Sequence, residues 1–254
     1  MKRKGGGGHL KREVAPGFWP IRKKEAVWSV KPIPGPHPIS RCIPIALIVR
    51  DMLGLAQTRK EVKKIVSQGK ILVDGRPIRD DRFPAGLMDV ISIPEIEKNF
   101  RVLPSKKGLS LHPIPQDEAG FKICRIENKT TLKEGHIQLN LHDGRNILIC
   151  NENTPNPIQN EYETLDTLAI ALPNQEILEH FKIGEGMFAS VIGGENIGKF
   201  GTVTSIIKET GRKRRRWLVT LRNSGDETFQ TILDYVFIIG DKKPKISIPS
   251  LEGD

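Results

Sequence analysis

No apolar segment of this chain runs far before a proline or a glycine interrupts it. The sequence carries 18 Pro and 24 Gly in 254 residues, a spacing that stops long helices from developing and favours several small units over one large domain. A hydrophobic content of 37% still supports cores, although modest ones. The longest apolar stretch, 42–55, is broken by Pro44, Arg50 and Asp51, so nothing reaches the roughly 20 residues needed to cross a bilayer. No membrane span is expected.

Charge narrows the class of partner. Lys plus Arg number 40 against 30 Asp plus Glu, a formal +10, which draws polyanions and opposes self-association. The chain opens Met1-Lys-Arg-Lys4 and continues through Gly5 to Gly8, where a secretory signal would place its apolar region; a cytosolic location is expected. Cysteines stand singly at 42, 124 and 150. Without a Cys-x-x-Cys pair they argue against a disulfide framework or a structural zinc site, and read as reduced, mostly buried thiols.

Residues 1–38 form a basic extension. Lys2, Arg3, Lys4, Lys11, Arg12, Arg22, Lys23, Lys24 and Lys31 face only Glu13 and Glu25, and six prolines between 16 and 38 limit it to short turns and extended chain. Such a segment buries too little to fold alone, and is expected to be mobile in free protein until RNA orders it. Trp19 and Trp28 lie within it, placed equally well to stack on an unpaired base or to pin the extension to the next unit.

From residue 39 the pattern turns amphipathic. Ile43, Ala46, Leu47, Val49 and Leu53 recur at helical spacing, with Pro44 in the first turn and Gly54 near the end. Thr58-Arg-Lys-Glu61 is a capping box opening a second helix that Gly69 stops. Val62, Ile65 and Val66 make its buried stripe, while Arg59, Lys60, Lys63 and Lys64 cluster opposite. Ile71-Leu-Val-Asp-Gly-Arg-Pro-Ile78 reads as strand, two-residue turn, strand, and Val90-Ile-Ser-Ile93 as a further strand. The middle is less basic: 106–172 holds seven Lys plus Arg against nine Asp plus Glu. Its β-rich runs at 121–126, 136–141 and 146–150 are separated by Gly135 and Asp143-Gly144. Further strand candidates at 187–192, 201–207, 217–221 and 229–233 have the spacing of a small barrel, with Trp217 alternating into its core beside Val219 and Leu221.

Ser40-Arg41, Thr58-Arg-Lys-Glu-Val62, Ile71-Leu-Val-Asp-Gly75 and Gly86-Leu-Met-Asp-Val90 resemble the successive landmarks of the S-four-type RNA-binding domain. Gly198-Lys-Phe-Gly-Thr-Val203 resembles the KOW motif of SH3-like barrels. Together with His9-Leu-Lys-Arg12, Ala15-Pro16, Trp19, Gly35-Pro-His37, Leu111-His-Pro113, Leu139-Asn-Leu-His-Asp-Gly-Arg-Asn146 and Gly193-Gly-Glu-Asn196, these stretches are similar from end to end to the S-four-e family of archaeal and eukaryotic small-subunit ribosomal proteins. The short end after Gly240 looks more archaeal than eukaryotic. The resemblance implies early assembly on small-subunit rRNA.

Other chemistries fit less well. Gly193-x-x-x-x-Gly198-Lys199 imitates a P-loop, but Phe200 replaces the hydroxyl that would hold magnesium, and a strand is expected where a P-loop needs a helix. The histidines at 9, 37, 112, 136, 142 and 180 form no ligand pair, and His142-Asp143 is better read with Gly144 as a hairpin turn. No nucleophile and base can be matched for an RNA-modifying enzyme, and a translation or transcription factor using the barrel remains the other alternative.

The expected architecture is α+β and multidomain: a basic extension (1–38), an αα-plus-β-sheet RNA-binding domain (39–94), a central β-rich domain (95–175), a KOW or SH3-like barrel (176–243) and a tail (244–254). The expected role is structural, in the small ribosomal subunit, with small-subunit rRNA and neighbouring ribosomal proteins as partners and no cofactor, metal, membrane or small-molecule substrate. RNA contact is assigned to Lys2, Arg3, Lys4, Lys11, Arg12, Trp19, Arg22, Lys23, Lys24, Arg41, Arg59, Lys60, Lys63, Lys64, Arg76 and Lys199, and to Arg212, Lys213, Arg214, Arg215 and Arg216, a basic run read as a loop between barrel strands that serves no purpose in folding.

Overall fold

The computed structural model describes residues 8–22, 24–150, 161–208, 213–223 and 225–249. The chain is mostly β with few helices. Three five-stranded antiparallel sheets account for most of its strands among the described residues, and two small two-stranded pairings complete them.

The helical hairpin before the first sheet departs from expectation at its start. Pro44 ends a short strand, Cys42–Pro44, that pairs with Pro84–Gly86. Its missing amide costs nothing there, because the residue precedes the first helical turn at Ile45–Leu47. The helix then widens over Ile48–Met52, where Leu53 N–H reaches back to the Ile48 carbonyl, and Gly54 at φ +64° ends it. The second helix, Arg59–Ser67, has the expected capping box: Thr58 Oγ1 accepts from the Glu61 amide while the Glu61 carboxylate accepts from the Thr58 amide. Val62 and Val66 are buried and Ile65 packs beside them.

The first sheet runs Arg76–Ile78, Ile71–Val73, Val90–Ile93, Lys98–Ser105, Gly108–Ile114. Asp74 and Gly75, at φ 52° and 74°, form the two-residue turn. The sheet does not stop at residue 94. Ile91 pairs with Phe100 and Val102 with Leu111, so 98–114 extends the first unit. The expected limit at 94 falls inside this sheet, at the Pro94–Ile96 turn, which looks like a linker in sequence.

The central sheet is ordered Asn146–Ile149, Ile137–Leu141, Phe121–Thr131, Thr167–Ala171, Ile177–Phe181. Its last strand lies beyond the expected limit at 175. The C-terminal sheet is ordered Thr228–Ile232, Leu218–Arg222, Phe200–Ile207, Phe188–Val191, Val236–Gly240. Phe200 starts a strand and is buried, so the P-loop-like glycines lead into a sheet and not a helix.

Two corrections concern how the units associate. The extension is docked through Leu10, Ala15, Trp19 and Val30, which belong to the same core as Ile45, Leu47 and Val66. The expectation of a mobile arm counted charges and prolines, whereas four apolar residues suffice when a preformed core receives them. The sheets are likewise fused. Met88 and Leu103 of the first, Ile123 of the central and Phe200, Phe237 and Ile239 of the C-terminal sheet make one cluster. Of the thiols, Cys42 and Cys124 are buried but Cys150 is exposed.

Candidate nucleic-acid interface

The helix Arg59–Ser67 turns Val62 and Val66 inward, which leaves Lys60, Lys63 and Lys64 exposed on its other side. Arg59 donates from Nε to Asp81 at 2.7 Å, so it is oriented by the loop after the first hairpin. Arg79 and Arg82 in that loop are exposed, and with Arg59 and Lys63 they line a shallow groove over Asp80 and Asp81. Arg82 is held by both oxygens of Asp80, and that bond keeps the Asp80 carboxyl below its ordinary value. Sequence reasoning missed Arg79 and Arg82, because Arg79-Asp-Asp-Arg82 sums to zero charge. Only the fold sets the two guanidiniums beside the helix. Arg76 is exposed on the adjacent hairpin strand.

Arg59 also borders a second groove, between the docked extension and the first helix, shared with Arg22, Trp28 and Arg50. The two grooves meet at the Arg59 guanidinium; the second is also lined by Glu25 and by Asp51, which holds Arg50 with both oxygens. Lys11, Arg22 and Lys24 are exposed. Arg12 is already engaged, donating from Nε and Nη2 to the Ile21 carbonyl at 3.2 and 2.7 Å. Trp19 is not a stacking platform. It is 2% exposed and its indole N–H donates to the Cys42 carbonyl at 2.7 Å, which leaves no ring face open to a base and makes it the pin of the extension. Trp28 is exposed, with the His9 ring tilted against it. Arg41 is exposed at the end of the extension.

The C-terminal basic run divides. Arg214–Arg216 forms a turn rather than an open loop. Arg215 Nη1 lies 2.9 Å from both Glu127 Oε2 and Asp234 Oδ1, and Arg214 Nη1 lies 2.6 Å from Glu163. These two tie the C-terminal sheet to the central one, contrary to the expectation that the run plays no part in folding. Lys213 and Arg216 remain exposed. Lys199 is exposed with its ammonium 5.1 Å from the Phe229 ring centre. Lys2, Arg3, Lys4, Lys23 and Arg212 lie outside the described residues.

A buried ionic junction ties the extension and the first sheet to the central sheet. Lys122 of the central sheet is 1% exposed, and its ammonium contacts Asp74 Oδ2 at 2.9 Å, Asp89 Oδ1 at 2.5 Å and Asp143 Oδ2 at 2.9 Å. Each carboxylate comes from a turn: the Asp74-Gly75 hairpin, the Gly86-Leu-Met-Asp89 segment and the His142-Asp-Gly144 turn. Arg145 bonds Asp74 at 2.6 Å and Asp143 at 3.1 Å. His37 at the end of the extension sets Nε2 3.1 Å from both Asp89 oxygens, its ring packed where a Cβ on Gly86 would stand. Burial opposes ionisation of Asp89 and Asp143, but Lys122 overcomes it. Asp89 is held well below the carboxylate range, with His37 assisting, and Asp143 falls to about 2. At Asp74 burial prevails and raises the carboxyl.

The donor atoms of Cys124, His142 and Asp143 lie within 4.8 Å of one another, yet the set does not suit a metal. His142 Nδ1 accepts from the Arg125 amide and Nε2 faces the Leu87 carbonyl at 3.1 Å. Asp143 is engaged by Lys122, and burial pushes the Cys124 thiol far from thiolate. The His142-Asp143 pair is structural.

Known proteins resemble the chain in the same order. Residues 4–40 match the RS4NT domain, 47–91 the S4 domain and 96–177 the ribosomal family S4e. The small ribosomal subunit protein eS4 of Aeropyrum pernix is 52% identical over 250 residues, 98% of each chain. That of Methanocaldococcus jannaschii is 43% identical over 98% of this chain and all of its own. The crystal structure of the 30S ribosomal protein S4e from Thermoplasma acidophilum superposes with a TM-score of 0.64 at 27% identity, covering 79% of this chain and 96% of that one. Similarity of this extent, carried through the extension, the capped helix and the central sheet alike, means that the chain belongs to ribosomal family S4e.

Proposed function

We propose that the chain is a structural constituent of the small ribosomal subunit that grips rRNA through a basic surface. The observation that carries this is the exposed array of Lys60, Lys63 and Lys64 on a helix whose other face is buried, extended by Arg79 and Arg82 on one side and through Arg59 to Arg22 on the other. Phosphate neutralisation by such an array supplies most of the affinity for a nucleic acid and fixes its register without reading bases. Lys11, Lys24, Arg41 and Arg76 belong to the same reading as exposed cations, and Lys2, Arg3, Lys4 and Lys23 extend it by charge.

A second contact is assigned to the C-terminal sheet, read as a KOW-type, SH3-like barrel. Supporting this is the pairing of its first strand, Phe188–Val191, with its last, Val236–Gly240, which wraps the sheet back on itself. Lys199, Lys213 and Arg216 are its RNA-facing cations, with Arg212 included by charge. The role is architectural, with neighbouring ribosomal proteins as further partners.

Replacing Lys60, Lys63 and Lys64 together with Ala tests the main surface. The slope of log affinity for small-subunit rRNA against log salt should flatten by about 2, from ~0.7–0.9 per lost phosphate contact. An unchanged slope would remove this helix from the interface.

A further inference from the structure

A cavity of about 430 Å³ opens where the extension, the first sheet, the central sheet and the C-terminal sheet converge. It shares no lining residue with either basic groove. Its walls are mostly apolar, with two partly exposed aromatic rings: Phe18 from the extension, Leu87 and Leu109 from the first unit, and Ile197 and Tyr235 from the last, over the buried Phe237. His142 closes one side edge-on to Phe237, ring centres 5.4 Å apart at 81°. Because both its nitrogens are engaged within the protein, it meets the cavity as a neutral ring. The two lining carboxylates are also occupied. Glu127 is held by Arg125 and Arg215, and Asp234 by Arg215.

The rim has the opposite character. Arg41 lines the cavity and is exposed. Pro104, Gly108 and Leu109 also line it, and the hairpin tip between them presents Lys106 and Lys107, both exposed. This tip is held in place by the barrel loop: a Cβ on Gly198 would stand 2.8 Å from the Lys106 amide. An aromatic hollow under a cationic rim is complementary to a nucleotide, a flat ring carrying phosphates, and unlike an apolar protein side chain it gives the rim charges a partner.

We propose that this cavity receives one unpaired base of the rRNA, its rings against Phe18 and Tyr235, with the flanking phosphates held by Arg41, Lys106 and Lys107. Single-stranded RNA is recognised by such splayed bases stacked on aromatic side chains. The inference rests on the rRNA-binding reading above and shares only Arg41 with its surface. It also gives the fusion of the units a purpose, since no unit alone builds the site.

Filling the cavity from two sides tests it. Leu109→Trp enters from the first sheet and Ile197→Trp from the barrel loop, each in the full chain and checked for a wild-type unfolding transition. Each should weaken binding to a small-subunit rRNA transcript roughly tenfold to a hundredfold, the worth of one stacked base, while the salt slope stays at its wild-type value. In parallel, AMP, CMP, GMP and UMP, observed by ligand-detected NMR on the wild-type chain, should bind where ribose 5-phosphate does not, independently of whether either variant folds. Folded variants with wild-type rRNA affinity, or nucleotides no better than ribose 5-phosphate, overturn the proposal while leaving the basic surface standing. Loss that appears only when another ribosomal protein is present would assign the cavity to a protein side chain and also overturn it. If the wild-type chain fails to bind rRNA, the reading beneath falls and takes this one with it.

Discussion

Replacing Lys122 with Met should be among the most damaging single changes in this chain. The ammonium is 1% exposed and sits within 2.9 Å of three carboxylates from three separate turns, so its removal leaves Asp74, Asp89 and Asp143 mutually repelling in a low-dielectric interior, answered by Arg145, His37 and one backbone amide each. Breaking a buried ion pair by deleting one partner costs about 3–5 kcal/mol, and here three acids lose the same partner. At roughly 2–4 °C per kcal/mol for a chain of this size, the unfolding temperature should fall by about 6–20 °C, measured by calorimetry or circular dichroism at pH 7. A second arm tests the cause. Asp143→Asn should destabilise the wild-type chain but cost much less in the Lys122→Met background, because the charge it removes has then lost its ammonium partner and keeps only Arg145. A loss under about 1 kcal/mol, or strictly additive effects of the two changes, would refute the view that this junction clamps the sheets by charge pairing.

Three further outcomes follow from the same geometry. Trp19→Ala should cost about 3–5 kcal/mol and leave the Cys42 carbonyl without its indole donor; a loss of stability under about 1 kcal/mol would mean that the extension is not pinned. Burial holds His142 at about 4, against an ordinary 6.5, so the unfolded chain takes up this proton at a pH where the folded chain does not. Stability should therefore decline as pH falls from about 6.5 towards 4, by about 3 kcal/mol from this group, and His142→Gln should flatten that window; a pH-independent midpoint across it argues against the buried neutral ring. Thr58→Ala removes the capping hydroxyl and should lower stability by about 1 kcal/mol, readable as earlier urea unfolding with an unchanged m value.

Local chemistry was legible in the sequence where short-range rules govern it. The capping box at Thr58 and Glu61, the Asp74-Gly75 turn and the strand runs near 121, 137, 188, 200 and 218 depend on neighbours a few residues away, and each stands close to where its pattern places it. Long-range consequences were not legible. Asp74 and Asp143 read as turn formers, which they are, yet the same side chains converge on Lys122, and nothing in spacing alone joins positions 74, 89, 122 and 143. The strand Lys98–Ser105 was hidden because Arg101, a charge in sequence, is fully buried in the fold. For the interface, the amphipathic helix announced its three lysines. Arg79 and Arg82 were masked by the acids between them, and Arg215 looked free because its partners, Glu127 and Asp234, lie 88 and 19 residues away. Trp19 could not be assigned without knowing that a core stood ready to receive it.

The central claim is that this chain is a fixed part of the small ribosomal subunit, held by rRNA contacts along the Lys60, Lys63 and Lys64 surface. Its most direct test is the stoichiometry of the chain in small subunits washed at high salt and sedimented from cells. One copy per subunit is expected for the wild type, with the triple alanine variant released at lower salt. A wild-type chain found mainly in the soluble fraction would contradict it.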